Sequence, residues 1–221
     1  MDEIRYYTGN DMARVGCHDC EGCSSCCQGM GDTVWLDPYD IWQLTNHLGL
    51  SFEELLQQAL ELHVEDGLIL PNLKMHNDGN LACIFLNDKG RCNIHDFRPG
   101  YCRLFPLGRN YSERGLEYFL LEDACPAEGK TKVKVSKWLQ IEKLPQYEAF
   151  LKDWHAITKR LRRIMGEFDL EGAREINMKF LQLFYLSPYG ETDFYGQIAG
   201  RIKTWREATS GIRFAEDQDL Q

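Results

Sequence analysis

Residues 17–27 read Cys17-His18-Asp19-Cys20-Glu21-Gly22-Cys23-Ser24-Ser25-Cys26-Cys27, which places five thiols within eleven positions. Two-residue gaps let successive cysteine side chains converge on one centre while the intervening amides turn toward the sulfur atoms. Zinc knuckles and iron–sulfur loops both use this spacing. The side chains of adjacent residues tend to diverge, so Cys26 and Cys27 favour a multinuclear cluster or two nearby centres. We therefore interpret this segment as the start of a metal site.

The nine cysteines of the 221-residue chain are better explained by metal binding than by disulfides. Residues 1–5 lack the basic and then apolar pattern of a signal peptide, and no 18-residue apolar run is present. We therefore expect a cytoplasmic protein without membrane contact. Disulfides are rare in reducing cytosol, and an odd number of thiols cannot pair completely.

The net charge of −9 is concentrated in the cysteine-bearing part of the chain. Residues 1–126 contain 9 Lys and Arg against 20 Asp and Glu, whereas residues 127–221 contain 16 against 14. Binding to phosphate backbones requires clustered basic side chains, so nucleic acid is an unfavoured partner. The basic run Lys159–Arg163 has the pattern of a solvated helix face. We expect instead a protein partner that the sequence does not identify.

Local patterns predict an α+β protein: a small irregular cysteine-rich core with short strands, followed by about three helices. Asp37-Pro38 and the capping box that begins at Ser51 predict helices from Pro38 to His47 and from Ser51 to about Val64. Three segments have the composition of strands, namely Thr33–Leu36, Leu68–Pro71 and Glu117–Leu121. Residues 77–80 predict a turn, residues 81–94 a hairpin with one cysteine per arm, and Arg98–Pro106 a rigid irregular crossing.

The C-terminal part has helical periodicity over residues 145–165, 170–186 and 192–209. We divide the chain into a metal-binding region, residues 1–131, and a helical region, residues 132–221, packed on it. The two are expected to form one continuous unit, because Cys125 connects the end of the strand region to the site.

The cysteine motifs resemble those of the YkgJ-type cysteine-cluster family, which is described as a zinc- or iron-chelating domain. The matching pieces, over residues 15–135, are Cys20-x-x-Cys23-x-x-Cys26-Cys27, Cys83-x8-Cys92, Arg98-Pro99-x-x-Cys102-Arg103-x-Phe105-Pro106 and Cys125-Pro126. The resemblance implies chelation by eight cysteines: Cys20, Cys23, Cys26, Cys27, Cys83, Cys92, Cys102 and Cys125. The flagellin lysine N-methylases, a related group, carry a similar cysteine motif in a methyl-transfer system. This chain departs from the family pattern by adding Cys17 and by placing His95 where an aromatic residue is common.

The sequence leaves two alternatives for the identity of the metal. Zinc, held tetrahedrally by four thiolates, would be wholly structural, and the cysteines suffice for two such ions. An iron–sulfur cluster, with 4Fe-4S as the leading form, is favoured by the even two-residue gaps from Cys17 to Cys26, which contain the C-x2-C-x2-C pattern, and by Cys125-Pro126. Apolar neighbours such as Trp35, Phe85 and Phe105 are suited to shield a cluster from water.

Other residues near the cysteines carry weaker predictions. Cys17 is a ninth ligand, a reactive thiol or a solvent-facing thiol without a role. His18 is either a hydrogen-bond partner of a sulfur atom or an exposed loop residue. His95 is interpreted as a loop side chain. Arg98 and Arg103 are predicted to border the cofactor and offset the charge of its thiolates, the alternative being salt bridges to the acidic surface.

The sequence contains no glycine-rich nucleotide loop, Walker motif, serine elbow or zinc-protease helix, so no catalytic residue is identified. Three hypotheses remain. They are an iron–sulfur protein for electron transfer or support of a partner's reaction, a zinc-stapled interaction domain, and an enzyme of protein methyl transfer that rests on the resemblance alone.

Overall fold

The computed structural model describes residues 4–17, 23–77 and 81–210. These residues form an α+β fold of short antiparallel strands and helices, with the longer helices in the C-terminal half. In chain order the elements are β1 (Tyr6–Tyr7), β2 (Met12–Gly16), α1 (Pro38–Leu48), α2 (Phe52–Gln58), β3 (Leu60–Glu65), β4 (Leu68–Leu73), α3 (Gly100–Leu104), β5 (Leu107–Ser112), β6 (Gly115–Leu120), β7 (Thr131–Lys134), α4 (Val135–Leu139), α5 (Leu144–Met165), α6 (Leu170–Leu181) and α7 (Phe194–Thr209).

The strands pair in three small antiparallel sheets. One has the order β1-β6-β5, and the other two are the pairs β2-β7 and β3-β4. Strand β7 spans the boundary predicted between residues 131 and 132 and pairs with β2 near the N-terminus. The chain therefore folds back on itself immediately before the C-terminal helices begin.

Helix α1 starts where the sequence predicts. The Asp37 side chain accepts a hydrogen bond from the Asp40 amide, while the Asp40 side chain accepts one from the Asp37 amide. Such a reciprocal cap satisfies two amides that the helix leaves without partners. Gly49 ends the helix in the left-handed conformation, with φ of 66°.

The prediction of a helix up to Val64 is wrong, because α2 ends at Gln58 and residues 60–65 form β3. Strand β3 pairs with β4 through a turn at Asp66 and Gly67, which have φ of 48° and 80°. Positive φ at both positions fits an Asp-Gly hairpin turn, which matches the twist of the flanking strands. The alternation in Leu60–Glu65 and this turn outweighed the helical spacing of Leu55, Ala59 and Leu62.

Three other local predictions differ from the structure in part. Thr33–Leu36 is not a regular strand, although Trp35 forms an isolated bridge with Asn72 of β4. The predicted hairpin of residues 81–94 is reduced to a turn and one bridge, between Leu86 and Cys92. The irregular crossing contains the short helix α3 between its two prolines. Part of the predicted turn at residues 77–80 lies outside the described residues.

The predicted C-terminal helices are confirmed as α5, α6 and α7, and α6 continues as a π-helical turn over Gln182–Leu186. Their inner faces build an aromatic core in which the Trp154 ring lies 5.3 Å from Phe180 and 5.2 Å from Phe184. Phe180 and Phe184 are fully buried, and each such side chain contributes about 1.5–3 kcal/mol through removal from water.

Both predicted regions contribute to one hydrophobic core. The Tyr39 ring of α1 lies 4.9 Å from Tyr147 of α5, and the Tyr185 hydroxyl donates a 2.9 Å hydrogen bond to the Leu36 carbonyl. The helices thus support the loops that carry the cysteines. Within the described ranges, no helix combines the length and the apolar character needed to cross a bilayer.

Candidate metal centre

Six of the nine cysteines line one cavity of about 60 Å³. They come from three separate parts of the chain and are Cys23, Cys26, Cys27, Cys83, Cys92 and Cys102. No Asp or Glu lines the cavity among the described residues, and most of the remaining wall is apolar. A single water needs about 10–15 Å³ of such space, so the cavity has room for several atoms.

Backbone hydrogen bonds join the first and second cysteine segments. The Cys83 amide donates to the Cys27 carbonyl at 2.7 Å, and the Gly29 amide donates to the Leu81 carbonyl at 3.0 Å. Cys26 and Cys27 lie in a single 3-10 turn, which places two consecutive thiols on the cavity wall. The expectation that these side chains serve two centres or one multinuclear centre is consistent with this wall.

The turn between Cys83 and Cys92 is held by the side chain of Asn87. Its Oδ1 atom accepts hydrogen bonds of 3.0 Å from the Lys89 and Arg91 amides, and its Nδ2 atom donates to Asn93 Oδ1 at 2.8 Å. This network replaces the strand ladder that a regular hairpin would supply, and it fixes the separation between the two cysteines.

Helix α3 carries Cys102 and is anchored by buried polar contacts. The Gly100 amide donates to Asp40 Oδ1 at 2.7 Å. A Cβ atom at position 100 would lie 2.4 Å from the Tyr147 hydroxyl, so only glycine allows this close approach. Asp40 and Tyr147 were not identified from the sequence as supports of the site, since no local motif connects them to Cys102.

A second, smaller cavity of about 30 Å³ is lined by Cys17, Cys23, Cys26 and Cys125. Phe105 and Trp138 line both cavities, and the Trp138 indole donates to the Phe105 carbonyl at 3.2 Å. The sequence singled out Phe105 but gave no signal for Trp138. Cys20 and His18 lie outside the described residues.

Hydrogen bonding and burial shift the pKa values of the cavity thiols in different directions. A hydrogen bond from the Cys27 thiol and the charge of Arg98 lower the pKa of Cys26 to about 7, against the opposing effect of burial. The same hydrogen bond, together with burial, raises the pKa of Cys27. Burial also raises the pKa values of Cys83 and Cys92, and that of Cys102 most clearly. The thiols with raised pKa values are therefore neutral at pH 7 unless a cation stabilises the thiolates, whereas Cys26 is partly ionised at this pH.

The two arginines predicted to border the cofactor have different surroundings. Arg98 lines the six-cysteine cavity, where its Nη1 atom donates to the His95 carbonyl at 2.6 Å. His95 also lines this cavity. Arg103 is buried and does not line it: its guanidinium donates to the carbonyls of Arg98, Gln140 and Asp96. Arg98 thus faces the thiols, whereas Arg103 holds two backbone segments together through three carbonyl groups.

All eight described cysteines line one or both cavities. In the described ranges, no three Cys, His, Asp or Glu side chains already converge closely enough to hold an ion. The donor set nevertheless fits a thiophilic metal, because soft sulfur ligands in an apolar cavity select zinc or iron–sulfur clusters over magnesium and calcium.

Comparison with known protein families gives one match to this region. Residues 19–126 match the family CxxCxxCC, whose description is "Putative zinc- or iron-chelating domain". The matched segment contains all the cysteines except Cys17. The family resemblance inferred from the motifs is therefore confirmed, and with it a metal-binding role. No solved structure matches the chain.

Proposed function

We propose that the cysteine cavities hold iron–sulfur clusters, because residues 19–126 belong to the CxxCxxCC family. A bound cluster supplies one-electron transfer, and the protein uses it to transfer electrons or to support the reaction of a protein partner. The leading form is 4Fe-4S, and zinc is the alternative occupant.

The observation that carries this proposal is the convergence of six cysteines on one apolar cavity. Zinc sites that are purely structural close around four ligands. Here two consecutive cysteines and four others share one wall, with space for several atoms between them. A multinuclear centre can be coordinated by more of these thiolates than a single ion can. The thiols are expected to rotate inward and lose their protons when the metal enters.

The two cavities suggest how the cysteines are divided. Four line only the larger cavity: Cys27, Cys83, Cys92 and Cys102. Cys17 and Cys125 line only the smaller one, and Cys23 and Cys26 line both. Four thiolates are the usual ligand number for zinc and for 4Fe-4S clusters. We therefore assign Cys27, Cys83, Cys92 and Cys102 to one centre, and Cys17, Cys23, Cys26 and Cys125 to a second, in which Cys20 is a further candidate.

Residues around the cavities would influence the charge and the reduction potential of a bound cluster. Phe105 and Trp138 contribute apolar surface to both cavities, and a low dielectric shifts the reduction potential of a buried cluster. Arg98 offsets the negative charge of the thiolates, as its effect on the pKa of Cys26 illustrates. Arg103 acts only as a positioning residue for the backbone.

The test is anaerobic purification followed by elemental analysis, sulfide determination and visible and electron paramagnetic resonance spectra. We expect iron and acid-labile sulfide in equal amounts and broad visible absorption. Colourless protein that contains only zinc would overturn the iron–sulfur assignment and leave the metal-binding role intact. Binding of S-adenosylmethionine, measured by calorimetry on the same sample, tests the methyl-transfer hypothesis taken from the resemblance.

The variants C83S and C125S test the division into two centres. Each is expected to lose part of the iron, and the two residual spectra should differ, because each variant retains a different centre. T204A, at an exposed threonine of α7, serves as the control and should retain all the iron. Complete loss of iron in both cysteine variants, with the fold retained, would contradict the division.

The zinc-stapled domain is favoured by one observation, the scarcity of regular structure between β4 and α3. In this segment the described residues, 74–77 and 81–99, are held by isolated bridges and turns, and the one helical element among them is a short 3-10 turn at His95–Phe97. A metal would replace the missing ladder, so its removal should unfold this segment. Circular dichroism before and after verified chelation measures this. An unchanged spectrum would count against a stapling role for either metal.

A further inference from the structure

A third cavity, of about 430 Å³, adjoins the six-cysteine cavity and has a different character. Strand β5 supplies Leu107, Gly108, Arg109 and Tyr111 to its wall, and α3 supplies Tyr101, Cys102 and Leu104. Its size lies within the range of about 300–1,000 Å³ that is typical of sites for small molecules. Five residues line both cavities: Cys26, Met30, Val34, Cys102 and Phe105.

Arg109 is the one charged residue on this wall among the described residues. Its Nη2 atom donates a 3.0 Å hydrogen bond to the Tyr147 hydroxyl, and its guanidinium lies 5.9 Å from the Tyr101 ring and 5.7 Å from the Tyr147 ring. These contacts hold the head group in place. The two tyrosines supply no anion. The buried carboxyl groups of Asp37 and Asp40 act on Arg109 electrostatically, and among the described residues neither forms an ion pair with it.

The Nε–H of Arg109 is buried and has no hydrogen-bond partner in the described chain. A buried donor without an acceptor is costly, and more so when the group is charged. Native structures rarely leave such a group unpaired without a functional reason. An acceptor that enters the cavity and displaces the atoms that now cover Nε would remove this cost. A carboxylate is the best match, since it accepts two parallel hydrogen bonds from the guanidinium fork.

We propose that this third cavity binds a small monocarboxylic acid with an apolar or aromatic body, whose carboxylate is held by Arg109. The apolar wall, which includes Leu104, Leu107 and Leu121, contacts the body of the ligand. The end of the ligand remote from Arg109 then lies toward the wall that contains Cys26 and Cys102. The ligand is bound beside the metal site, and its binding does not depend on which metal the thiols hold.

The test uses 4-phenylbutyrate and its neutral amide, 4-phenylbutyramide, as a matched pair of probes on the purified metal-containing protein. Calorimetry is expected to show tighter binding of the carboxylate by about tenfold or more, since a hydrogen bond to a charged group contributes about 1.5–3 kcal/mol. R109Q should abolish this preference while the weak binding of the amide persists. The matched control is R114Q, at an exposed arginine of the β5–β6 turn, which should keep the preference.

Two further measurements keep the proposal testable if R109Q folds poorly. L121W fills the cavity from a partly exposed position and is expected to weaken binding of the carboxylate several-fold. In the unmodified protein, the Nε–H resonance of Arg109 should shift on addition of the carboxylate and stay in place on addition of the amide. Equal affinity for the two probes, or a carboxylate affinity that R109Q and L121W leave unchanged, would overturn the proposal.

Discussion

Asp40 of α1 joins two distant parts of the chain by accepting a 2.7 Å hydrogen bond from the Gly100 amide at the start of α3. The other oxygen of the same carboxylate accepts from the Asp37 amide and completes the cap of α1. Both contacts are buried. One side chain therefore fixes the start of α1 and the position of the helix that carries Cys102.

Replacement of Asp40 by alanine should lower both stability and metal content. D40A leaves two buried amides without acceptors, each costing about 1–3 kcal/mol. It also frees α3, so that Cys102 is less well placed as a ligand. Thermal unfolding and metal analysis of the purified variant measure the two effects.

E54A is the matched control for this prediction. Glu54 accepts from the Ser51 amide at 2.7 Å in the cap of α2, and it is exposed. It should cost about 0.5–2 kcal/mol and leave the metal content unchanged. Equal metal content in D40A and wild type would show that Asp40 does not position the ligand.

Arg103 offers a test of whether its charge or its shape matters. Its guanidinium donates to three backbone carbonyls at once, which the single ammonium of lysine cannot reproduce. R103K is therefore expected to destabilise the protein by about 2–4 kcal/mol although the charge is retained. Denaturant unfolding measures the loss. A stable R103K variant would support the prediction from the sequence that Arg103 acts as a charge near the thiolates.

The sequence predicts features that depend on neighbouring residues better than those that depend on distant ones. The cap at Asp37, the C-terminal helices and the cysteine motif are local, and each is confirmed. The assembly around Cys102 is not local, since Asp40 and Gly100 are 60 positions apart. Sequence spacing cannot indicate such a contact, nor that Trp138 of α4 would line both cysteine cavities.

One missed element was predictable from a local signal. The Asp66-Gly67 pair between two alternating segments is a strong hairpin signal. The helical spacing of Leu55, Ala59 and Leu62 continues from α2 into β3, and it favours a helix up to Val64 instead. In contrast, the roles of Arg98 and Arg103 cannot be separated from the sequence, because both flank Cys102 within one short segment. Only the carbonyls around Arg103 distinguish them.

Asn177 should be important for the attachment of α6 to the β3–β4 hairpin. Its Oδ1 atom accepts from the Ile69 amide at 2.8 Å, and its Nδ2 atom donates to the Gly67 carbonyl at 2.9 Å. N177A removes both bonds inside the protein and is expected to cost about 2–4 kcal/mol. E175A, two residues earlier at an exposed ion pair with Lys179, should leave stability nearly unchanged. Similar unfolding midpoints for the two variants would contradict the prediction.

The buried carboxyl group of Asp37 should make the free energy of unfolding depend on pH. A neutral side chain at this position should remove this dependence. Burial raises the pKa of Asp37 to about 6, and burial together with the charge of Asp37 raises that of Asp40. The folded state therefore binds a proton more tightly than the unfolded chain, in which an aspartate titrates near about 3.9. The resulting stabilisation is complete below that value and is lost as pH rises through about 6.

D37N keeps an oxygen that accepts from the Asp40 amide and has no charge to titrate. The difference in unfolding free energy between wild type and D37N, compared in the same metal state, should shift by about 1–3 kcal/mol against wild type between pH 4.5 and 7.5. Chemical unfolding at several pH values measures this difference. Because metal loss from the thiolates affects both proteins alike, it cancels in the comparison. A difference that stays constant over this range would mean that Asp37 is ionised throughout in the folded protein, with Arg109 outweighing the effect of burial.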